Sequence, residues 1–506
     1  MKNLYLILTL VFLGSNLYSQ FQDRSWIFGR PASGSGNATL YFGDLSNPVT
    51  TLPSGQTGNV TPGNGKEQWA VVADPATGDL IFYTDGKNVF DNQNNLVSET
   101  DLGANVSCSQ PVMVAPIRHT ETKSAVVEYF IFSNATGADS YTADIGPVTY
   151  TLYDAVSKTF GPRNSLPGPY GTADVTEGMK IIPCDSDPDL LWLVVSLYPH
   201  PGKETKYVVY RIYKNTITFQ GDFDFGPQKQ PVPPLNASPI LYITYSNAGI
   251  ATGTTNVGFS LQYSSAVFTC RFDNLTGQFL TNTVRQCLPG FNWTIPSIYN
   301  AEFSPNGNFL YYTAYKTAGD LNELYQVDLQ EPVLTPVLVN TFSYTYAGGL
   351  KLGPDGFIYH IYNNGYFDDE LRLGRILQPD VKFIPGVTPL GQFYQENFKT
   401  YYGVQGTGLC EFLVSPEIRV GNPDKTPAVI VYPNPASDKI TISDPGNSFT
   451  GYDISIMNIR GQIVYREKVN QKITPAINVA GLDNGIYFLT LQKESRMCKS
   501  KFVIQR

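Results

Sequence analysis

The 506-residue chain contains 45 Gly and 36 Pro, with charged residues at 15 % and aromatic residues at 13 %. About 25 % charged is ordinary for a globular domain, so this charge-poor, turn-rich and aromatic-rich balance excludes a coiled coil, a long helical protein and a disordered chain. A net charge of −8 leaves no electrostatic footprint for nucleic acid, whose binding rests on phosphate neutralisation.

The first 19 residues start with Lys2, run through apolar positions 4–14 and end in small and polar residues at 15–19. This pattern predicts a signal peptide cleaved near Ser19 and Gln20. Its apolar run of about 11 residues is too short for the roughly 20 needed to cross a bilayer. No Cys lies near that cleavage point, which disfavours a lipid anchor.

From residue 24 to about 414 short apolar runs alternate with Asp/Asn/Pro/Gly turns, the pattern of antiparallel strands. Residues 69–73, 80–84 and 88–90 form a first group. Similar groups follow at 129–133 with 148–153, at 191–197 with 207–213, and at 241–245 with 259–272. The last two copies share a motif, Phe303-Ser-Pro-Asn-Gly-Asn-Phe-Leu-Tyr-Tyr312 and Leu350-Lys-Leu-Gly-Pro-Asp-Gly-Phe-Ile-Tyr359. A spacing of roughly 50 residues with a Pro-Asx-Gly turn is the signature of propeller blades. Six units fall between 68 and 380, and segments 25–42 and 401–414 remain at the two ends. Combining them into a composite blade predicts a seven-bladed β-propeller over residues 20–415, closed by both termini, which removes exposed sheet edges.

Residues 416–426 read as a polar linker. Alternating strands at 439–442, 452–457, 462–465, 486–491 and 501–504 then predict a small antiparallel, Ig-like β-sandwich over residues 427–506. The fold class is therefore all-β in both parts. Between 427 and 506 ten Lys/Arg face six Asp/Glu, a balance of +4, so with Lys2 also removed the region between leader and tail carries −13. Such asymmetry implies different partners for the two parts.

The tail carries Val431-Tyr-Pro-Asn-Pro-Ala436, Lys439-Ile-Thr-Ile442, Ile456-Met-Asn-Ile-Arg-Gly-Gln462, Leu482-Asp-Asn-Gly-Ile-Tyr-Phe-Leu489 and a basic stretch at 499–506. On these residues it resembles the type A C-terminal sorting domain of type IX secretion system substrates. The resemblance implies passage through the outer-membrane translocon, recognition by the sorting machinery and removal of the tail near the linker. It also implies a final place on the cell surface or in the medium. Its sorting-signal positions fall on Pro433, Asn434, Pro435, Gly461, Gly485, Tyr487, Lys499 and Lys501. Trp26-Ile-Phe-Gly29, Gly78-Asp-Leu-Ile-Phe-Tyr-Thr-Asp-Gly86, Val89-Phe-Asp91 and Gly353-Pro-Asp-Gly356 resemble uncharacterised propeller-like regions that accompany this tail, for which no reaction is implied.

No catalytic residue is assigned from the sequence. His119, His200 and His360 fall in unrelated positions and read as surface or loop residues, leaving no multi-His metal site. Serine-hydrolase elbows and phosphate-binding loops are missing. Glu67, Asp85, Glu177, Glu302 and Glu370 lie near predicted strand ends. They are available to a glycosidase needing two carboxylates about 5 to 10 Å apart, but they read first as turn formers or solvated charges. Asp185, Asp187 and Asp189 alternate as in oxygen-rich Ca²⁺ loops, although Pro188 and the lack of a following Gly and Glu favour an acidic turn. Loop aromatics at Tyr170, Tyr198, Phe291, Trp293, Tyr344, Tyr346, Tyr366, Phe367, Tyr394, Tyr401 and Tyr402 suit either a contact surface or blade packing. Six Cys without a C-x-x-C spacing read as buried thiols in strands.

The expectation is a secreted or surface-displayed, non-enzymatic propeller that binds a glycan or protein through one face, exported by its tail. The alternatives are a secreted polysaccharide hydrolase or lyase, and a structural surface protein of adhesion or gliding.

Overall fold

Six sheets of at least four strands follow one another along the first 402 residues of the computed structural model. It describes residues 23–31, 38–43, 48–50, 67–74, 78–98, 101–105, 107–117, 127–137, 145–184, 186–187, 189–198, 206–224, 240–261, 267–287, 296–316, 321–342, 346–363, 370–402, 404–405, 409–412, 430–432, 436–443, 453–458, 463–468, 476–493 and 496–504. Two compact units divide the chain, Met1–Glu417 and Ile418–Arg506. The expected signal peptide lies outside the described residues.

Each of these six sheets is built on an antiparallel meander, and each is a blade. Blade one holds Ala70–Ala73, Leu80–Thr84, Val89–Asp91 and Leu96–Ser98. Blade two runs from Val112–Ile117 through Glu128–Asn134 to Val148–Asp154, whose outer edge pairs with the short pieces Thr159–Phe160 and Asn164–Ser165. Blades three to six begin with Val175–Pro183, Ile240–Tyr245, Pro296–Phe303 and Tyr346–Leu352. These first strands lie against one another in succession, which makes them the inner strands of a propeller.

Both faces of every blade are buried, and this explains the nearly continuous apolar runs such as Leu190–Leu197. Met179 and Ile181 enter the core shared by blades two and three, while Ile182, Trp192 and Val194 enter the core shared by three and four. The same arrangement recurs between one and two, four and five, and five and six. Aromatic rings fill these seams, as where Tyr207 of blade three meets Phe259 of blade four edge-on at 4.9 Å.

The closing element differs from the expected seventh blade. Among the described residues the N-terminal segment builds a two-stranded sheet, Ser25–Phe28 with Ala38–Tyr41, and meets the C-terminal side where Arg30–Pro31 pairs with Val404–Gln405. Trp26, Phe28 and Leu40 wedge this sheet between Tyr359 and Leu371 of blade six and Trp69 and Tyr83 of blade one. Tyr401, expected to belong to the composite blade, is instead part of the outer strand of blade six, Tyr394–Tyr402. Glu411–Phe412 then lies parallel to Ala70–Val71 on the axial side of blade one.

The second unit holds two sheets. Ile430–Tyr432, Lys439–Ser443 and Ala476–Asn478 form one, and Asp453–Asn458, Ile463–Lys468, Gly485–Lys493 and Arg496–Ile504 the other. Ile440, Ile454, Ile456, Ile477 and Leu489 form its core. The strands at 430–432 and 476–478 are too short to show an alternating pattern.

Candidate functional site at the propeller axis

Charged side chains point inward from three inner strands. Register shifts between Val175 and Met179, Ile298 and Ala301, and Ala347 and Leu350 place an irregularity just ahead of Lys180, Glu302 and Lys351. Bulges of this kind re-aim the side chains that follow them.

Glu411 is the centre on which they converge. Its Oε2 accepts hydrogen bonds from Lys180 Nζ at 2.7 Å and Lys351 Nζ at 2.9 Å. Its Oε1 accepts from Tyr242 Oη at 2.8 Å and Gln68 Nε2 at 2.9 Å. One carboxylate thus ties blades one, three, four and six together, and it is itself buried. Burial alone would raise its pKa, but Lys180 and Lys351 outweigh that and hold it well below the ordinary carboxylate range. Burial lowers the pKa of Lys180 despite Glu411. At Lys351 burial acts the same way, but Glu411 and Glu302 overcome it and the pKa is raised.

Glu302 accepts from Phe303 N at 3.0 Å and from Thr244 Oγ1 and Leu352 N at 3.3 Å. Burial raises its pKa against the pull of both lysines. Glu177 accepts from Ser109 N at 2.6 Å and Ser109 Oγ at 2.7 Å, and Glu67 accepts from the Tyr299 hydroxyl. Gln110 bridges strands: its Oε1 accepts from Met179 N at 3.0 Å and Ile243 N at 2.8 Å, while its Nε2 donates to Ile243 O at 3.0 Å.

Of the acidic residues singled out in the sequence, the structure turns Glu67, Glu177 and Glu302 toward the axis and engages all three internally. Asp85 is a turn former, accepting from Lys87 N at 2.9 Å and Asn88 N at 2.7 Å. Glu370 pairs with Arg372. Sequence reasoning missed Lys180, Lys351, Gln110 and Glu411. A signal existed for the first two: Lys180, Glu302 and Lys351 each stand three residues before a Pro, at Pro183, Pro305 and Pro354.

Asp185 lies outside the described residues. Asp187 Oδ1 accepts from Asp189 N at 2.9 Å, the hydrogen bond of an Asx turn. Among the described residues no group of three His, Cys, Asp or Glu is placed to hold a metal ion. His119 and His200 fall outside those residues. His360 is not a surface residue as expected: it lies fully buried in the strand Ile358–Asn363, with Nδ1 3.1 Å from Tyr394 Oη and Phe342 edge-on at 5.0 Å. Burial lowers its pKa to about 3.

Tyr394 and Tyr401 are packing residues and Tyr402 is exposed. Tyr170 donates to Asp222 Oδ2 at 3.0 Å on the surface of blade three. Phe291, Trp293, Tyr344, Tyr366 and Phe367 lie outside the described residues. Cys108, Cys184, Cys270, Cys287 and Cys410 are buried free thiols.

In the second unit, Pro433, Asn434, Pro435 and Gly461 lie outside the described residues. Gly485 opens the strand Gly485–Lys493, and Tyr487 is buried with its hydroxyl donating to Asp483 O at 2.9 Å. Lys499 and Lys501 occupy the final strand opposite Thr490 and Phe488.

The fold is that of an all-β protein, a propeller followed by a two-sheet tail. Residues 430–505 match the model of the secretion system C-terminal sorting domain. The chain is therefore a cargo of type IX secretion, destined for the cell surface or the medium, as its tail motifs imply. Among curated proteins none matches the chain.

Solved structures similar to it include a protein from Lactobacillus plantarum, at 12 % identity over 76 % of this chain and 98 % of that one, with a TM-score of 0.43. An exo-beta-1,3-galactanase from Phanerochaete chrysosporium, solved with beta-1,3-galactotriose, is 10 % identical over 78 % of this chain and all of its own, with a TM-score of 0.33. An alpha-L-arabinofuranosidase from Fusarium graminearum is 9 % identical over 66 % and 92 %, with a TM-score of 0.32. The propeller assignment rests on the sheet topology. No helix among the described residues is long and apolar enough to cross a membrane.

Proposed function

We propose that the propeller is a non-enzymatic binding module for a glycan or a protein, carried to the outside of the cell by its sorting domain. The observation behind this reading is the state of the axial carboxylates. A glycosidase needs one carboxyl free to donate a proton and a second free to attack or activate water. Glu411 is buried and holds two lysines, and Glu177 and Glu67 are tied to Ser109 and Tyr299. Recognition on such a scaffold belongs to rim loops, which a rigid ring presents without adapting its core.

The translocation signal is assigned to residues 427–506, with Pro433, Asn434, Pro435, Gly461, Gly485, Tyr487, Lys499 and Lys501 as its reading positions. The sorting machinery is their partner, and 416–426 is the linker at which the tail is removed. Purified secreted protein, screened on glycan arrays and assayed for release of reducing ends, tests the module. Retention of a glycan class or a surface protein without release supports it. Release of reducing ends that disappears in the Glu302→Gln variant would establish the hydrolase instead.

A further inference from the structure

We propose that Glu411 is a latch that closes the ring, and that Lys180 and Lys351 oppose closure until it inserts. Blades one and six each hold a four-stranded meander from a continuous stretch of chain, Ala70–Ser98 and Tyr346–Tyr402, and among the described residues the strand that blade one takes from the far end is the two-residue Glu411–Phe412. Among the described residues the ends meet through the wedged sheet, through Arg30–Pro31 beside Val404–Gln405, and through Glu411–Phe412 beside Ala70–Val71.

The inner strands meanwhile bring together two cations from blades three apart in ring order. Both ammonium nitrogens touch the same Glu411 oxygen, so they lie within a few ångströms of each other, and both are shielded from water. Without the carboxylate between them, a closed ring would bury two cations with Glu302 as their shared counter-charge, an unbalanced arrangement that costs free energy however good the surrounding packing is. Inserting Glu411 relieves that imbalance with two ion pairs. It adds hydrogen bonds from Gln68 of the segment leading into blade one and from Tyr242 of blade four. The cation–aromatic contact of Lys351 with Phe412, 5.2 Å to the ring centroid, comes from the same inserted segment.

The latch is the last part of the propeller to be made. The described chain resumes in the sorting domain at Ile430, so the ring is completed only by residues 409–412, the last described stretch ahead of the linker and the export tag. Closure of the cargo is thereby tied to arrival of the end of the chain that carries its address.

Hydrogen exchange read by mass spectrometry on full-length protein at neutral pH tests this. In the Glu411→Gln variant, exchange in the sheet at 25–41 and in blade one at 70–84 should accelerate on the order of a hundredfold, while the inner strands of blades three to five keep their protection. The triple variant Glu411→Met, Lys180→Met, Lys351→Met removes the repulsion along with the latch and should restore protection to within roughly tenfold of the parent. If Glu411→Gln does not fold at all, a folded triple variant still supports the latch. Unchanged exchange in Glu411→Gln, loss of protection in all six blades together, or failure of the triple variant to recover would overturn it.

Discussion

At the scale of single residues, the axis rewards groups that answer every buried donor and acceptor. Gln110 satisfies two backbone N–H groups and one carbonyl belonging to blades three and four. Gln110→Ala leaves three buried backbone groups unpaired, at about 1 kcal/mol or more each, so a loss of at least about 3 kcal/mol is expected in urea unfolding. His360 makes a second prediction, on pH. Its folded pKa of about 3 lies below the ordinary 6.5, so between those values the unfolded chain binds a proton that the folded chain refuses. Stability should therefore fall as pH drops from about 6.5 toward 3, by up to about 5 kcal/mol from this residue. Nε2 is buried without a hydrogen-bond partner, so the hydrogen bond that His360→Leu loses is the Nδ1 contact with Tyr394. A flatter acid limb in the unfolding free energy of His360→Leu is the expected outcome, and an unchanged slope would refute the assignment. Residues of this kind were unequally legible. Lys180, Glu302 and Lys351 interrupt apolar strands at a fixed distance from a Pro. Gln110 and Glu411 sit in segments with no periodicity, and only the closed ring gives them partners.

At the scale of elements, turns do more than reverse the chain. The turn closing the third hairpin of blade four places Gly277 at φ +72°, where an added Cβ would come within 2.4 Å of the Trp192 indole of blade three. Trp192 Nε1 donates to Asn274 O at 2.8 Å, so this turn clasps the neighbouring blade. Gly277→Ala must take on a left-handed conformation at about 1–2 kcal/mol and displace a buried indole at a similar cost. Gly356 has the same handedness, φ +82°, but nothing within 4 Å of its Cβ position. Gly356→Asn should cost less than about 1 kcal/mol, because Asn tolerates that conformation. Denaturant midpoints for the two variants measure the contrast, and equal losses would mean that the turns of blade four do not clasp blade three. The Pro-Asx-Gly turns and six blades were readable because a hairpin turn imposes local chemistry on its own residues. The closing sheet was not, since nothing local tells a terminal strand whether it completes a four-stranded blade or wedges between two. His360 was misread for a related reason. Its neighbours Tyr359 and Ile361 mark a strand, but only the packing of Phe342 and Tyr394 decides that the imidazole is inside.

At the scale of the whole molecule, the two units carry opposite charge. Residues 20–426 bear −13 and residues 427–506 bear +4, so the mild −8 of the full chain averages two unlike bodies. A cargo destined for the outside gains solubility from a strong single-sign field, and separating it from its tail strengthens that field. The secreted form should therefore focus at a lower pH than the pI of about 5.1 calculated for the full chain. The sorting tail has its own core of Ile440, Ile454, Ile456 and Leu489, distinct from the inter-blade cores. Deleting 427–506 should then separate folding from address. The shortened chain keeps Glu411 and every blade, and it should accumulate, folded, inside the outer membrane while the parent reaches the surface or the medium. Fractionation with an immunoblot of periplasm, surface and medium measures this. Protease resistance of the retained protein confirms that export and not folding has failed. Appearance of the shortened chain outside the cell at the parent's level would show that the tail is dispensable for export.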